Sequence, residues 1–254
     1  MHDPVRSIVT ELVHAPRRRF RFLAGMVLVL VALAILLSLG TWQLQRLHWK
    51  EGLLASIAER RAAPPADLSA IEALAAAGGD VDYRTVRISG TYLNSKERHF
   101  FATYRGRTGY YVYTPLQLAD DRFVLVNRGF VSFERKEPNM RKHGQLTGMQ
   151  TVTGLARAKL SGKPSWAVPD NDVRKNIFYW KDLDVMASSA GLSTDRTLPF
   201  FVDADATPNP GGMPIGGVTQ FDFPNSHLQY AVTWYGLAAA LAAVSAVFIF
   251  RRTR

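Results

Sequence analysis

The chain contains no cysteine among its 254 residues. This absence excludes disulfide bonds, zinc sites built on thiolates, iron–sulfur clusters and a cysteine-based copper relay. Charged side chains are also missing from two long stretches, residues 22–45 and 228–250. As a helix rising about 1.5 Å per residue, the second stretch is about 34 Å long, which exceeds a bilayer core of about 30 Å. We therefore predict two transmembrane helices, one at each end of the chain.

The sequence also lacks the short motifs of common catalytic sites. It has no glycine-rich loop followed by lysine, no His-x-x-x-His or His-Glu-x-x-His pair, and no Gly-x-Ser-x-Gly turn. His99 and His143 are isolated, and we predict strand or loop positions for them rather than metal ligation. Four acids are predicted to be helix caps or solvated charges: Asp170, Asp172, Asp182 and Asp184. We therefore expect that the protein is not an enzyme.

The net charge of +10 is concentrated at the ends of the chain. Residues 1–21 hold five arginines against two acids, and residues 251–254 hold three arginines. Basic residues that flank apolar helices mark the cytoplasmic side, so both termini are predicted to be cytoplasmic. The basicity is thus a membrane-topology signal, and we expect membrane lipid as a contact and no nucleic-acid partner.

The first apolar run has a second interpretation as a cleaved signal peptide. However, it is longer than the usual apolar region of about 7–15 residues, and no convincing small-x-small cleavage site follows it. We therefore favour an uncleaved anchor. The predicted segments are a cytoplasmic basic tail (1–21), a first transmembrane helix (22–45), an α+β domain (46–226), a second transmembrane helix (227–250) and a cytoplasmic tail (251–254). In a bacterium the domain would be periplasmic and the protein would lie in the inner membrane.

The middle domain alternates apolar and polar residues with a period near two, as half-buried strands do. Strands are predicted at residues 83–90, 98–104, 109–118, 123–133, 150–160 and 199–203. Helices are predicted at 46–61, after Asp67 and at 181–190. Short turns between most of the strands favour a small antiparallel barrel or sandwich.

An Asn-Arg-Gly sequence interrupts the apolar strand at residues 127–129. Glycine within a strand usually marks a bulge or the close approach of another group, and a buried guanidinium needs an anionic or carbonyl partner. Arg128 therefore indicates either a structural salt bridge or a ligand contact, and we favour the salt bridge.

The second apolar run begins with a histidine and several aromatic residues. At helical spacing His227, Tyr230, Ala231 and Trp234 share one face, on which a flat aromatic or porphyrin-like group could lie. The alternative is that the aromatic residues form an interfacial belt and that His227 is a polar residue at the start of the helix. Spacing alone favours this alternative.

Three separated motifs resemble the Surfeit locus protein 1 family. They are Gly-Thr-Trp-Gln-Leu-Gln-Arg at residues 40–46, Val-Asn-Arg-Gly-Phe-Val at 126–131, and Asn-Ser-His-Leu-Gln-Tyr-Ala-Val-Thr-Trp-Tyr-Gly-Leu-Ala at 225–238. Residues 169–172 and 179–183 resemble a further block of the family. Ser132 is a departure, because many members carry proline there. The motifs occur in the family's order with matching topology and cover nearly the whole chain.

The resemblance implies a factor for assembly of haem–copper terminal oxidases that acts on haem a and on subunit one of cytochrome c oxidase. His227 matches the histidine that is implicated in haem a binding in bacterial members, so the resemblance favours it as a ligand of the haem iron. Haem a synthase is a further candidate partner. The alternative function is a membrane scaffold that stabilises subunit one without binding haem.

We also predict how the two apolar helices pack. Small residues should permit close approach along one face of the second helix: Ala231, Ala238, Ala242 and Ser245. This packing would place Trp42, Gln43 and Arg46 near His227. Arg46 would then be the nearest cation for haem propionates. Trp42, with Tyr230 and Trp234 as an aromatic wall, completes the predicted cofactor site.

Overall fold

The structure is a computed structural model that describes the backbone of residues 4–221 and 224–253 and the side chains of residues 20–221 and 224–252. The predicted topology signals at Arg17, Arg18, Arg19 and Arg254 therefore lie outside the described side chains. The chain forms two compact units. The first consists of Met1–Ala55 and Asp222–Arg254, and the second is Ser56–Phe221.

Four α-helices are described: α1 Pro4–Ala62, α2 Leu68–Ala76, α3 Leu183–Ser189 and α4 His227–Thr253. Seven strands are described: β1 Ala66–Asp67, β2 Thr85–Tyr92, β3 Arg98–Tyr104, β4 Arg107–Gln117, β5 Phe123–Ser132, β6 Met149–Ala158 and β7 Thr197–Ala204. Short 3-10 helices occur at Asn94–Lys96, Phe133–Arg135, Pro138–Gly144, Thr194–Arg196 and Pro210–Gly212. The second unit begins at Ser56, within α1.

The first unit pairs α1 with α4. The stretches Phe20–Ala62 and His227–Arg252 are long and apolar enough to cross a membrane. Their most apolar 18-residue windows are 0% and 6% buried, so apolar side chains face outward along both helices. This exposure suits a helix pair surrounded by lipid, as the sequence predicts.

The two helices meet along a line of partly and fully buried positions, which we call the helix seam. On α1 the seam contains Phe22, Met26, Val29, Leu33, Leu36, Gly40, Gln43, Leu47 and Lys50; on α4 it contains His227, Ala231, Trp234, Ala238, Leu241 and Ser245. The spacing alternates between four and three residues on both helices, which is the repeat of left-handed helix packing.

The small residues on α4 behave as predicted with one exception. Ala231 and Ala238 are 1% and 4% exposed, and Ser245 is half-buried. The prediction for Ala242 was wrong, because this residue is exposed. The alternating spacing puts Leu241 on the seam between Ala238 and Ser245 instead.

Gly40 allows the closest approach between the two helices. A Cβ atom added there would lie 2.9 Å from Cζ of the Tyr235 ring. The neighbouring Thr41 hydroxyl shares a hydrogen bond of 3.0 Å with the Tyr235 hydroxyl. The ring therefore packs on bare backbone, which only glycine provides.

The second unit is a β-barrel. Its sheet order is β1-β2-β6-β7-β5-β4-β3, and an additional pairing of β2 with β4 closes the ring. Of the two predicted architectures, a barrel or a sandwich, the closed ring is the barrel. The expectation of a wholly antiparallel sheet was wrong, because β5 pairs with β7, and β1 with β2, in parallel. A parallel neighbour needs a long return connection, and the chain between β5 and β7, residues 133–196, supplies it through β6 and α3.

Strands β5 and β7 are buried on both faces, so their apolar runs are nearly continuous. Val126 and Phe200 point into one core cluster, whereas Leu125 and Phe201 point into a second cluster under α3. Burial of each such side chain contributes about 1.5–3 kcal/mol. The two cores fix the strand that carries Arg128.

Candidate functional site

The candidate site is at the start of α4, where His227 contacts Gln43 across the helix seam. The distance from His227 Nδ1 to Gln43 Oε1 is 2.7 Å. A carbonyl oxygen only accepts, so Nδ1 carries the imidazole proton and donates it. The other ring nitrogen, Nε2, therefore keeps its lone pair. A ring that donates through one nitrogen and keeps a lone pair on the other is the usual arrangement of a metal-ligating histidine.

The helix ends around this histidine are held by further contacts. Lys50 Nζ donates to the backbone carbonyl of Pro224, which precedes α4. Tyr230 N donates to the Ser226 carbonyl at 3.2 Å, which starts the hydrogen bonding of α4. These contacts lie on either side of His227, and the Lys50 contact connects the start of α4 to α1.

The other predicted site residues differ in how far they are exposed. Trp42 and Tyr230 are 54% and 53% exposed, so each offers an aromatic surface beside the seam. Trp234 instead lies half-buried within the seam. The Arg46 guanidinium stacks on the Trp49 ring at 3.8 Å from its centroid. The structure thus brings Gln43 to His227, while the described contact of Arg46 is with Trp49.

The sequence prediction placed Gln43 near His227 but did not identify it as the hydrogen-bond partner. Trp49 was not singled out at all. Helical spacing could have found it, because Trp42, Arg46 and Trp49 follow one another at intervals of four and three residues and so share a face of α1.

The second candidate, Arg128, is buried in the barrel among groups of the chain itself. Its side chain is 1% exposed. It donates to the Gly144 carbonyl at 2.5 Å and to Asn209 Oδ1 at 3.1 Å, and its guanidinium lies over the Tyr92 ring at 4.5 Å. The nearest carboxylate oxygen, Glu97 Oε1, lies 3.9 Å from a terminal nitrogen of Arg128.

A buried ion pair lies next to Arg128. Glu97 and Arg141 are 3% and 5% exposed, and both terminal nitrogens of Arg141 donate to the Glu97 carboxylate. Burial raises the pKa of Glu97, but hydrogen bonds from His99 and Arg141 outweigh it and lower the pKa to about 2. Glu97 is therefore a carboxylate at neutral pH and balances part of the buried positive charge.

His99 belongs to the same network. Its Nδ1 lies 3.0 Å from the Asn176 amide nitrogen, and its Nε2 faces Glu97 Oε2 at 3.7 Å. Both ring nitrogens thus face polar groups of this network. Among the described side chains, residues 20–221 and 224–252, no three His, Asp or Glu residues are grouped as a metal site would require.

The four acids that were predicted to be caps or solvated charges have such roles. Asp182 accepts from the Val185 backbone N–H at the start of α3, at 3.1 Å. Asp172 accepts from the Lys175 backbone N–H. The other two form surface pairs with lysines, Asp170 with Lys163 and Asp184 with Lys159.

Comparison with known proteins identifies relatives of this chain. Residues 30–239 match the SURF1 family. The chain is 36% identical over 250 residues to Surfeit locus protein 1 of Rattus norvegicus, covering 92% of this chain and 78% of that protein. It is 34% identical over 220 residues to Surfeit locus protein 1 of Homo sapiens, covering 80% and 70%. A SURF1-like protein of Monosiga brevicollis is 36% identical over 230 residues, covering 85% and 83%. The chain belongs to the SURF1 family.

Proposed function

We propose that this protein is an assembly factor for a haem–copper terminal oxidase, which binds haem a and assists its insertion into subunit one. The observation that carries this proposal is the hydrogen bond of 2.7 Å between His227 and Gln43. It directs the lone pair of Nε2 away from Gln43 at one end of a candidate membrane helix. Family membership supports the oxidase-assembly part of the proposal.

The residues around His227 fit a haem. A neutral imidazole is a common axial ligand of haem iron. The exposed rings of Trp42 and Tyr230 offer flat apolar surface for a macrocycle. The bound group would supply the iron that the imidazole coordinates, and the protein supplies a ring whose tautomer is already set. Delivery of haem a requires binding and release without catalytic turnover.

Arg46 is the proposed contact for the haem propionates. Its stacking on Trp49 uses the face of the guanidinium. The N–H groups of a guanidinium lie in its plane, so stacking leaves their directions open to a carboxylate. The stack also restricts the side chain, which reduces the entropy lost when a carboxylate binds. Trp49 is therefore a positioning residue for Arg46.

The test is the absorbance of protein purified from cells that make haem a. We expect His227→Ala to lose the haem spectrum. We expect Gln43→Ala to keep a weaker haem spectrum, because the imidazole of His227 is then no longer held in one tautomer. Gln45→Ala, an exposed glutamine on the same helix, is the control and should match wild type. Equal haem content in wild type and His227→Ala would reject His227 as a ligand of the haem iron. A colourless wild-type protein that still supports oxidase assembly would establish the scaffold function instead.

We further propose a bacterial inner-membrane protein with both termini in the cytoplasm and the barrel in the periplasm. Subunit one and haem a synthase are the proposed partners. An alkaline phosphatase fusion after Asp121 should be active, and one after Arg254 should be inactive, because the enzyme matures only outside the cytoplasm. The reverse pattern would reject this topology.

A further inference from the structure

A groove of about 920 Å³ runs between α1 and α4 at the end of the helix pair where α1 enters and α4 leaves the apolar stretch. Its floor is apolar and includes Phe22, Gly25, Met26, Val29, Leu241 and Phe248. All of its lining residues lie outside residues 30–239, the part that matches the SURF1 family. The family relationship therefore assigns it no role.

One end of the groove is strongly basic. Arg21, Arg251 and Arg252 all line it. The Arg252 guanidinium stacks over the Phe22 ring at 4.1 Å, so its charge is held at the edge of the apolar floor. The sequence contains no acidic residue between positions 12 and 50 or between 223 and 254. Neither helix therefore brings a carboxylate of its own to this stretch.

An apolar floor that ends at three guanidinium groups matches one class of molecule. The volume is within the range of about 300–1,000 Å³ that ligand sites occupy. Arginine binds phosphate oxygens through paired N–H groups, and basic pockets between membrane helices bind anionic lipid head groups. Free phosphate would use the arginines but not the floor, and a zwitterionic lipid would bring its own cation to the arginines.

We propose that this groove binds an anionic phospholipid, with an acyl chain on the floor and the phosphate at the arginines. Gly25 provides the depth for the chain, because a Cβ atom added there would have nothing within 4 Å. This lipid site is independent of His227.

The arginine test is native mass spectrometry of the full chain in mixed phosphatidylglycerol and phosphatidylcholine. We expect retained phosphatidylglycerol in excess, and a loss of this preference by roughly fivefold for each arginine that is changed to glutamine. The triple variant Arg21→Gln, Arg251→Gln and Arg252→Gln is compared with a control of equal charge change on exposed barrel residues: Arg107→Gln, Lys142→Gln and Arg174→Gln. The same preference in both triple variants, or equal retention of the two lipids by wild type, would overturn the proposal.

The floor is tested with one pair of glycine variants. Gly25→Leu fills the groove and should weaken phosphatidylglycerol retention by roughly fourfold for each acyl methylene that it displaces. Gly52→Leu adds the same side chain to the same helix outside the groove, also with nothing within 4 Å of its Cβ, and should match wild type. Leucine favours helix over glycine, so neither variant breaks α1. Retention that is unchanged in Gly25→Leu, or lost when millimolar inorganic phosphate is added, would reject a lipid site.

Discussion

The buried pair of Glu97 and Arg141 gives the sharpest prediction for the barrel. The substitution Glu97→Gln keeps the size of the side chain but removes the only negative charge of this pair. Arg141 would then be buried without its counter-ion, and Arg128 would lose a carboxylate oxygen at 3.9 Å from its own terminal nitrogen. The change tests whether the network is held by charge or only by shape.

The magnitude follows from burial. Removing one partner of a buried ion pair costs about 3–5 kcal/mol, because the remaining charge stays desolvated. For a protein of this size, each kcal/mol lowers the melting temperature by about 2–4 °C. We therefore expect Glu97→Gln to melt roughly 10 °C below wild type at pH 7. Glu137→Gln, on an exposed glutamate, is the control and should melt with wild type.

The same carboxylate makes the difference depend on pH. The pKa of Glu97 is lowered in the folded state to about 2, from an ordinary value of 4.5. A lowered pKa contributes stability that is present above the unfolded value and is lost as pH falls through the folded value. The shift corresponds to about 3 kcal/mol. The difference in melting temperature between wild type and Glu97→Gln should thus become smaller as the pH falls from 4.5 to 2.

The assay is thermal unfolding of the full chain in detergent, followed by near-ultraviolet circular dichroism between pH 7 and pH 2. A melting temperature for Glu97→Gln equal to that of the control would refute the buried-charge account. A gap that stays constant down to pH 2 would refute the lowered pKa of Glu97.

Two further predictions concern close backbone approaches. Gly129 has φ +122°, and an added Cβ would lie 1.9 Å from the Ile215 carbonyl oxygen, so Gly129→Ala and the charged Gly129→Glu should yield little folded barrel. Gly106 is also at positive φ but has open space around its Cβ position, so Gly106→Ala should lower the free energy of unfolding by only about 1–2 kcal/mol. Equal yields of folded barrel from the Gly106 and Gly129 variants would contradict this prediction. Gly40→Leu should lengthen the distance between spin labels on α1 and α4 by about 1–2 Å, whereas Gly52→Leu should leave this distance unchanged. An unchanged distance in Gly40→Leu would reject the close packing of the two helices at Gly40.

The strands could be predicted because their alternation is local. Residues 98–104 were predicted as a strand at the bounds that β3 has in the structure. The parallel pairing of β5 with β7 could not be predicted in this way. The order of the strands depends on the path of residues 133–196, which connect β5 to β7 through β6 and α3, and no local pattern records that path.

The candidate site could also be predicted only in part from the local sequence. The position of His227 follows from its place before an uncharged run, and its tautomer does not. The partner that sets it, Gln43, is 184 residues away in sequence, so the register between two helices decides the contact. The partners of Arg128 were equally hidden, because Gly144 and Asn209 are at the edges of irregular segments without periodicity.

The most direct test of His227 as a haem ligand is chemical rescue. In His227→Gly the imidazole is removed and a space of similar shape is left at the start of α4. We expect this variant to elute without haem in plain buffer and to elute with haem when free imidazole is present. Haem that co-elutes with His227→Gly at the wild-type level without imidazole would contradict the central claim.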